Sequence, residues 1–312
     1  MMLLWNVIVP GAIAALGVAT VLASSSFWLF ALLGHFRRHV AVLALILAPL
    51  ALLATWPLAL NIPMCGAALA ICAFNIVTTR RAMPVSPASE RDGIVLRVIF
   101  ANVLRSNEEF GSLINWVKAE QADILMASEV SDRWVAALRA LEPQLPHGHG
   151  VRPGEVAILS RLPITRSQHD SSLSFARLAS AEIATPAGPV ELVVVHPPVP
   201  TRGARGAAGN AGVIAAVGSL AGKACGGVII TGDFNSTPWS PAFSAMVAQA
   251  GLVFDRGARM PTWPTWLPTW LGLPLDHILV GRGCTIAGLR RGPRIGSDHR
   301  PILADIRYLS AP

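Results

Sequence analysis

Three long apolar runs dominate the start of the chain, and short alternating segments follow them. The first run, LLWNVIVPGAIAALGVATVLA, carries no formal charge; the second covers Val40 to Leu60 and the third Ile62 to Thr79. A helix needs about 20 apolar residues to cross a bilayer, so the pattern predicts three transmembrane helices in an anchor over residues 1–79. Asn61 and Pro63 predict a tight connection that makes a hairpin of the last two. Pro10 and Pro49 are tolerable inside membrane helices. The first run lacks the basic flank of a cleaved signal peptide, and three such runs in succession do not suit a soluble core.

The segment RRAMPVSPASERDG, rich in Pro, Ser and charge, reads as a linker over residues 80–92. Beyond it a second domain, 93–312, has another rhythm. GIVLRVIFANV, ADILMASEV, EVAILSRLPI, ASAEIAT, VELVVVH, GVIITGDFN, LDHILV and PILADIRY are strand-like by length, β-branching and boundaries. Helical patterns cover Phe110 to Lys118, DRWVAALRALEP up to Pro143, and AGNAGVIAAVGSLAGK. Strands outnumber helices, which argues against a doubly wound parallel sheet. An α+β arrangement of two packed sheets flanked by helices fits better.

Composition supports the division. Of 312 residues 53% are hydrophobic and 14% charged, too apolar for an ordinary soluble protein. Every acid lies at or after Glu90; before it the charged side chains are Arg37, Arg38, Arg80 and Arg81. With three spans these arginines share one side, and the positive-inside bias then puts the second domain in the cytoplasm. The apolar runs hold no acid or lysine, which speaks against a transport pathway. The formal charge of +7 leaves the second domain only mildly basic. That permits an anionic partner, although a nucleic-acid reader usually shows a stronger basic surface. Cys65, Cys72, Cys225 and Cys284 form no CxxC and no Cys/His cluster, so neither a zinc site nor a disulfide framework is indicated.

The chemistry sits at strand ends. The first strand ends at Asn102, another at Glu129, and VELVVV runs into His196. GDFN places Asp233 and Asn235 on one face of an extended segment. LDHILV opens with Asp276, and GSDHRPI carries Asp298 and His299. An acid or imidazole at one strand end is usually a turn or a satisfied polar group; six such ends together predict a site. Carboxylate and amide oxygens without thiolates suit a hard cation, Mg²⁺ or Mn²⁺. A neighbouring His can move a proton. Those are the needs of phosphate-ester hydrolysis.

GDFNSTP, LDHILV and GSDHRP, in that order, with N-V after the first strand and S-E at a strand end, resemble the endonuclease/exonuclease/phosphatase superfamily. The resemblance covers roughly Gly93 to Tyr308. It implies the DNase I-like fold, a four-layered α/β/β/α sandwich. TWP at Thr262 to Pro264, with the three-span anchor, resembles a membrane-anchored bacterial branch, which implies an inner membrane. By resemblance Asn102 and Glu129 sit at the metal, with Asp298 supporting it. Asp233 and Asn235 orient the attacking water and the phosphate. His196 contacts the scissile phosphate or acts as acid, and Asp276 pairs with His299. Which His is acid and which is base stays open. Two departures stand out. Ser128 replaces the Gln that many members carry before the metal Glu. The strand that bears a Tyr in the DNA-repair branch reads HPPVP here, closer to the DNase and sphingomyelinase branches.

Other candidates have bland alternatives. Arg202 and Arg205 could clamp an anionic substrate or keep a Gly-rich loop solvated. His147 and His149 read as a polar loop, and His277 as structural. Trp263, Trp266 and Trp270 read as a platform for a base or lipid, or as a packed or membrane-facing loop. The expectation is a membrane-anchored, divalent-metal-dependent phosphoesterase, with diesters favoured over monoesters. Nucleic acid, phospholipid headgroups and small phosphorylated metabolites remain open as substrates, and no obligate protein partner is expected. The alternative is a catalytically silent binding domain of the same fold.

Overall fold

The computed structural model describes residues 2–24, 27–86, 93–150, 155–169, 177–224, 226–281 and 283–309. Cys225 and residues 87–92 of the expected linker lie outside the described residues. The chain forms a helical unit that runs to Met83 and takes in Pro238–Ser244, and a larger unit from Pro84 onward.

The helical unit comprises α1 (Met2–Leu22), the short α2 (Trp28–Ala31), α3 (Arg37–Leu52) and α4 (Leu58–Arg81). Its packed interior is small: Val9, Ile13, Ala48, Ala51 and Ala68 meet at one centre. Its outer surface is apolar, with Val21, Leu45, Ile46, Leu58 and Ile62 all more than half exposed. Water penalises that distribution and lipid favours it. Two stretches, Trp28–Leu52 and Leu58–Arg81, are long and apolar enough to cross a membrane, and α1 offers a shorter apolar stretch, Asn6–Leu22. Among the described residues, then, two helices rather than the expected three are long and apolar enough to cross a membrane.

The hairpin turn also moves. Asn61 and Pro63 lie inside α4, and the chain reverses before it, between Leu52 and Leu58. Pro63, the sixth residue of the helix, has no amide hydrogen to give the Ala59 carbonyl, and α4 runs on through it as membrane-type helices tolerate. The Asn61 side chain donates to the carbonyls of Ala54 and Trp56 and so holds that reversal. Arg37 does not face out. It is buried, donating to Asn75 and Ser24, while Asn75 reaches Thr20. One polar knot thus ties α1, α3 and α4.

The larger unit holds β1 (Ile94–Asn102), α5 (Phe110–Ala119), β2 (Ile124–Val130), α6 (Asp132–Leu138), β3 (His147–His149) and β4 (Glu155–Ser160). Then come β5 (Ile164–His169), β6 (Arg177–Thr185), β7 (Gly188–His196), α7 (Gly203–Lys223) and β8 (Gly227–Asp233). α8 (Pro241–Ala250), β9 (Asp276–Gly281), β10 (Cys284–Arg291) and β11 (Ile302–Tyr308) close the chain. One sheet has the order β10-β11-β1-β2-β4-β3 and the other β5-β6-β7-β8-β9.

Alternation builds the sandwich. Leu96, Val98 and Phe100 of β1 point inward and pack with Leu192, Val194 and Ile229 of the other sheet. The intervening Ile99 and Ala101 point outward under α5 and α6, against Leu113, Val117 and Trp134. α7 buries one stripe, Gly206, Asn210, Val213, Ile214, Val217 and Ala221. Two expectations change. EVAILSRLPI is not one strand, because the chain leaves the first sheet at Ser160 and enters the second at Ile164. Pro163, which has no amide hydrogen to give a ladder, sits at that crossing. The expected linker also shortens. Val85 bridges to Phe254, and the Ser86 hydroxyl accepts from the Ile286 amide.

Candidate active site

Topology explains why scattered strand ends meet. β1 and β2 run parallel, so Asn102 at the end of one lies opposite Ser128, beside Glu129. β7 and β8 also run parallel, with Val195 opposite Gly232, which carries His196 and Asp233 to one rim. β9 runs antiparallel to β8 and begins where β8 ends, so Asp276 faces Asp233 in register. Gly232 is a requirement of this rim. A Cβ there would stand 2.2 Å from the carbonyl oxygen of Val195.

The rims of the two sheets are joined by Asn102. Its amide donates at 3.0 Å both to Glu129 Oε1 and to Asp233 Oδ2, and its Oδ1 accepts from the Leu104 amide. Glu129 Oε2 accepts from the Arg105 amide. Leu104, Glu129 and Asn235 all have left-handed backbones, with φ of 56°, 61° and 49°. Such conformations are uncommon outside glycine.

Two imidazoles converge on Asp233. His196 Nε2 stands 3.6 Å from Asp233 Oδ2 and 3.8 Å from Glu129 Oε1. His299 Nε2 stands 3.5 Å from the same Asp233 oxygen, while its Nδ1 meets Asp276 Oδ2 at 2.8 Å. Asp233 Oδ1 accepts from the Asn235 amide, and the Asn235 side chain donates to the Pro197 carbonyl. Burial disfavours a charged His299, but the Asp276 and Asp233 carboxylates outweigh it and push its pKa up to about 10. Burial raises the pKa of Asp233; Asp276 adds to the rise, and His299 and His196 oppose it. For Glu129 burial is outweighed by His196 and by the Asn102 and Arg105 hydrogen bonds, and its pKa falls.

The donors are hard oxygens with no thiolate among them, the set that suits Mg²⁺ or Mn²⁺. Ligand-type atoms of Asp233, Asp276 and His299 lie within 4.8 Å of one another. Both ring nitrogens of His299 are turned to carboxylates, Nδ1 to Asp276 and Nε2 to Asp233. Glu129 is the more open acid, its side chain 24% exposed against 2% for Asp233.

The remaining expected residues fall as follows. Asp298 adjoins His299, but its Oδ2 accepts from the Trp263 indole at 3.0 Å. Arg202 and Arg205 are exposed at the start of α7. His147 and His149 form the edge strand β3, and His149 contacts the Gln168 carbonyl. His277 is buried against Phe234 and Phe254 with its Nε2 on the Ser236 carbonyl. Sequence reasoning missed Asn210. It is buried in α7, donates to the Pro198 and Phe234 carbonyls, and accepts from the Ser236 hydroxyl. It thereby clamps the loop after His196 to the loop after Asp233. A lone amide on the apolar stripe of a Gly/Ala helix was the available signal.

The Endonuclease/Exonuclease/phosphatase family model matches residues 99–299, a span that contains every residue of the rim. No curated protein matches the chain in sequence. Several solved structures share the fold. Danio rerio TDP2 complexed with single strand DNA product is 16% identical with a TM-score of 0.57, covering 68% of this chain and 99% of that one. An endonuclease/exonuclease/phosphatase from Beutenbergia cavernae is 16% identical with a TM-score of 0.55, covering 69% and 72%. Staphylococcus aureus beta toxin is 15% identical with a TM-score of 0.51, covering 67% and 99%.

Proposed function

The chain belongs to the Endonuclease/Exonuclease/phosphatase family, and from that premise we propose that it is a membrane-anchored, divalent-metal-dependent phosphodiesterase. One observation carries the reading: two imidazoles aim their Nε2 atoms at one buried carboxylate, Asp233, at the meeting of two sheet rims. A binding module has no need to bury such a group of titratable side chains.

Glu129 and Asn102 would hold the metal, with Asp298 supporting that side. When bound, Mg²⁺ or Mn²⁺ would polarise a phosphoryl oxygen and balance developing negative charge. The chain's own residues do the rest. Asp233, its Oδ1 held by the Asn235 amide, orients the attacking water and takes up its proton at Oδ2. Asp276 fixes the ring of His299 at Nδ1, so that its Nε2, beside Asp233 Oδ2, would give a proton to a phosphate bound at that rim. His196 donates from Nε2 on the neighbouring side, to a phosphoryl oxygen or to the leaving group. Arg202 and Arg205 would meet the anionic substrate beyond the rim.

The anchor is part of this proposal. Only 28% and 22% of the two apolar spans are buried, whereas the core helix of a soluble protein would be mostly buried. Arg80 and Arg81 close α4 just before the catalytic unit begins. The positive-inside bias makes that end cytoplasmic, in an inner membrane as in the bacterial branch that the chain resembles.

The test is hydrolysis by the purified full chain of a generic diester, a monoester, DNA, RNA and phospholipid, with Mg²⁺ or Mn²⁺ and with chelator. Metal-dependent turnover of a diester that His299→Ala abolishes is expected. A well-folded chain inert on all five would overturn the reading.

A further inference from the structure

Among the described residues, four large hydrophobic side chains of the catalytic unit are exposed: Val85, Val95, Trp266 and Trp270. The two tryptophans are the most open, at 70% and 74%, and they stand four residues apart in one loop. That loop, PTWPTWLPTWLGLPL from Pro261 to Leu275, contains no charged residue and no histidine.

The loop is bonded to itself and to the site. Trp263 and Leu273 pair across its root. The Leu271 and Gly272 amides donate to the Pro268 and Thr269 carbonyls. The Thr265 amide, one residue before Trp266, donates to the Asp298 carbonyl, and the Trp263 indole holds the Asp298 carboxylate. His299 follows directly. The tryptophans therefore project from a preformed lip whose root is the catalytic rim.

Positive charge flanks the root. Arg291 donates to the Pro261 carbonyl, the Arg300 amide to that of Thr262, and the Arg300 guanidinium to Gly292. Arg294 is exposed two residues beyond Gly292, so Arg291, Arg294 and Arg300 belong to one flank. An uncharged aromatic tip above a basic shoulder matches the cross-section of a bilayer surface. Tryptophan favours the interfacial layer, and arginine the anionic headgroups outside it. Two helices of the same chain are long and apolar enough to cross a membrane, so the bilayer is the partner at hand.

We propose that Trp266 and Trp270 insert into the interface of an anionic phospholipid bilayer while Arg291, Arg294 and Arg300 meet its headgroups. The lip thereby presents a lipid phosphodiester to Asp233, His196 and His299. The substrate class rests on the phosphodiesterase reading; the docking surface does not.

The full chain, reconstituted in nanodiscs containing phosphatidylglycerol, separates the two. The emission difference between the parent chain and a Trp266→Ala/Trp270→Ala variant isolates these two of the nine tryptophans. Phospholipid brominated at a shallow acyl position should quench that difference at least twofold. In the variant, the ratio of turnover on phosphatidylglycerol in the disc to turnover on soluble bis(p-nitrophenyl) phosphate should fall tenfold or more. A Trp266→Phe/Trp270→Phe pair gives the same spectral difference if the alanine pair fails to fold. An unquenched difference overturns the proposal. Equal losses on both substrates overturn it as well, because the loop would then only brace Asp298. A difference quenched by a single-stranded oligonucleotide and not by lipid overturns it in favour of a base-stacking platform. If the parent chain hydrolyses neither substrate, the phosphodiesterase reading fails and the quenching alone decides the lip.

Discussion

His299 Nδ1 and Asp276 Oδ2 lie 2.8 Å apart, and both side chains are buried. The aspartate faces one ring nitrogen of the histidine and leaves the other turned toward Asp233. Its effect on any reaction at the rim is therefore indirect, through the tautomer and tilt of the imidazole.

Replacing Asp276 by Asn should keep the shape and remove the charge. We expect kcat on a soluble diester to fall by about 10²–10⁴-fold, the usual reach of acid–base help, with KM changed little. Steady-state kinetics beside a circular dichroism spectrum check this. A loss confined to KM would count against the relay.

Asn210 lies in α7 and touches no reacting group, so its role is positioning. Asn210→Ala would strand the Pro198 and Phe234 carbonyls and the Ser236 hydroxyl. A buried polar group left unpaired costs about 1–3 kcal/mol. Thermal unfolding should show that loss, and kcat should fall more than KM rises as the His196 and Asp233 loops drift apart. Asn210→Asp, which keeps the acceptor for Ser236 and loses both donors, should rescue little.

Gly232→Ala should be destabilising in spite of its single added methyl. The new Cβ meets the Val195 carbonyl oxygen at 2.2 Å, inside a paired sheet that has no slack. Overpacking of this kind costs about 1–3 kcal/mol. A lowered melting temperature is the readout, and an Ala variant that melts with the parent would contradict the close approach.

His277 predicts acid lability. Burial lowers its pKa from 6.5 to about 4, with partial opposition from the Ser236 and Pro274 carbonyls. The folded state therefore binds the proton less readily than the unfolded chain. The His277 contribution is fully present above pH 6.5, declines as pH falls toward about 4, and levels off below it. The linked loss is on the order of 3 kcal/mol. Melting curves across that window should be flatter for His277→Gln than for the parent chain.

Parts of this molecule could be read from sequence and parts could not, for physical reasons. Strands with long buried apolar runs, such as LVVV in β7 and GVIITGD in β8, announce themselves. β10 escaped. CTIAGLRR sits at a sheet edge with three of its eight positions exposed and a bulge between Ile286 and Gly288, so its alternation is broken. The polar residues at strand ends could be noticed one by one. What brings them together is the parallel pairing of β1 with β2 and of β7 with β8, a property of topology that no local window contains. Asn210 was lost among small residues in a helix whose pattern was already sufficient. The hairpin turn lies earlier than Asn61 and Pro63 suggest, because Asn61 turns its side chain back to the carbonyls of Ala54 and Trp56 and α4 continues through Pro63.

The left-handed backbones of Glu129 and Asn235 carry a longer consequence. Each non-glycine residue held there costs about 1–3 kcal/mol, and glycine at either position would relax it. A selection for heat resistance would therefore tend to replace the very side chains that line the rim. For this protein, thermostability and turnover would pull residues 129 and 235 in opposite directions, and consensus-style stabilisation should leave both alone.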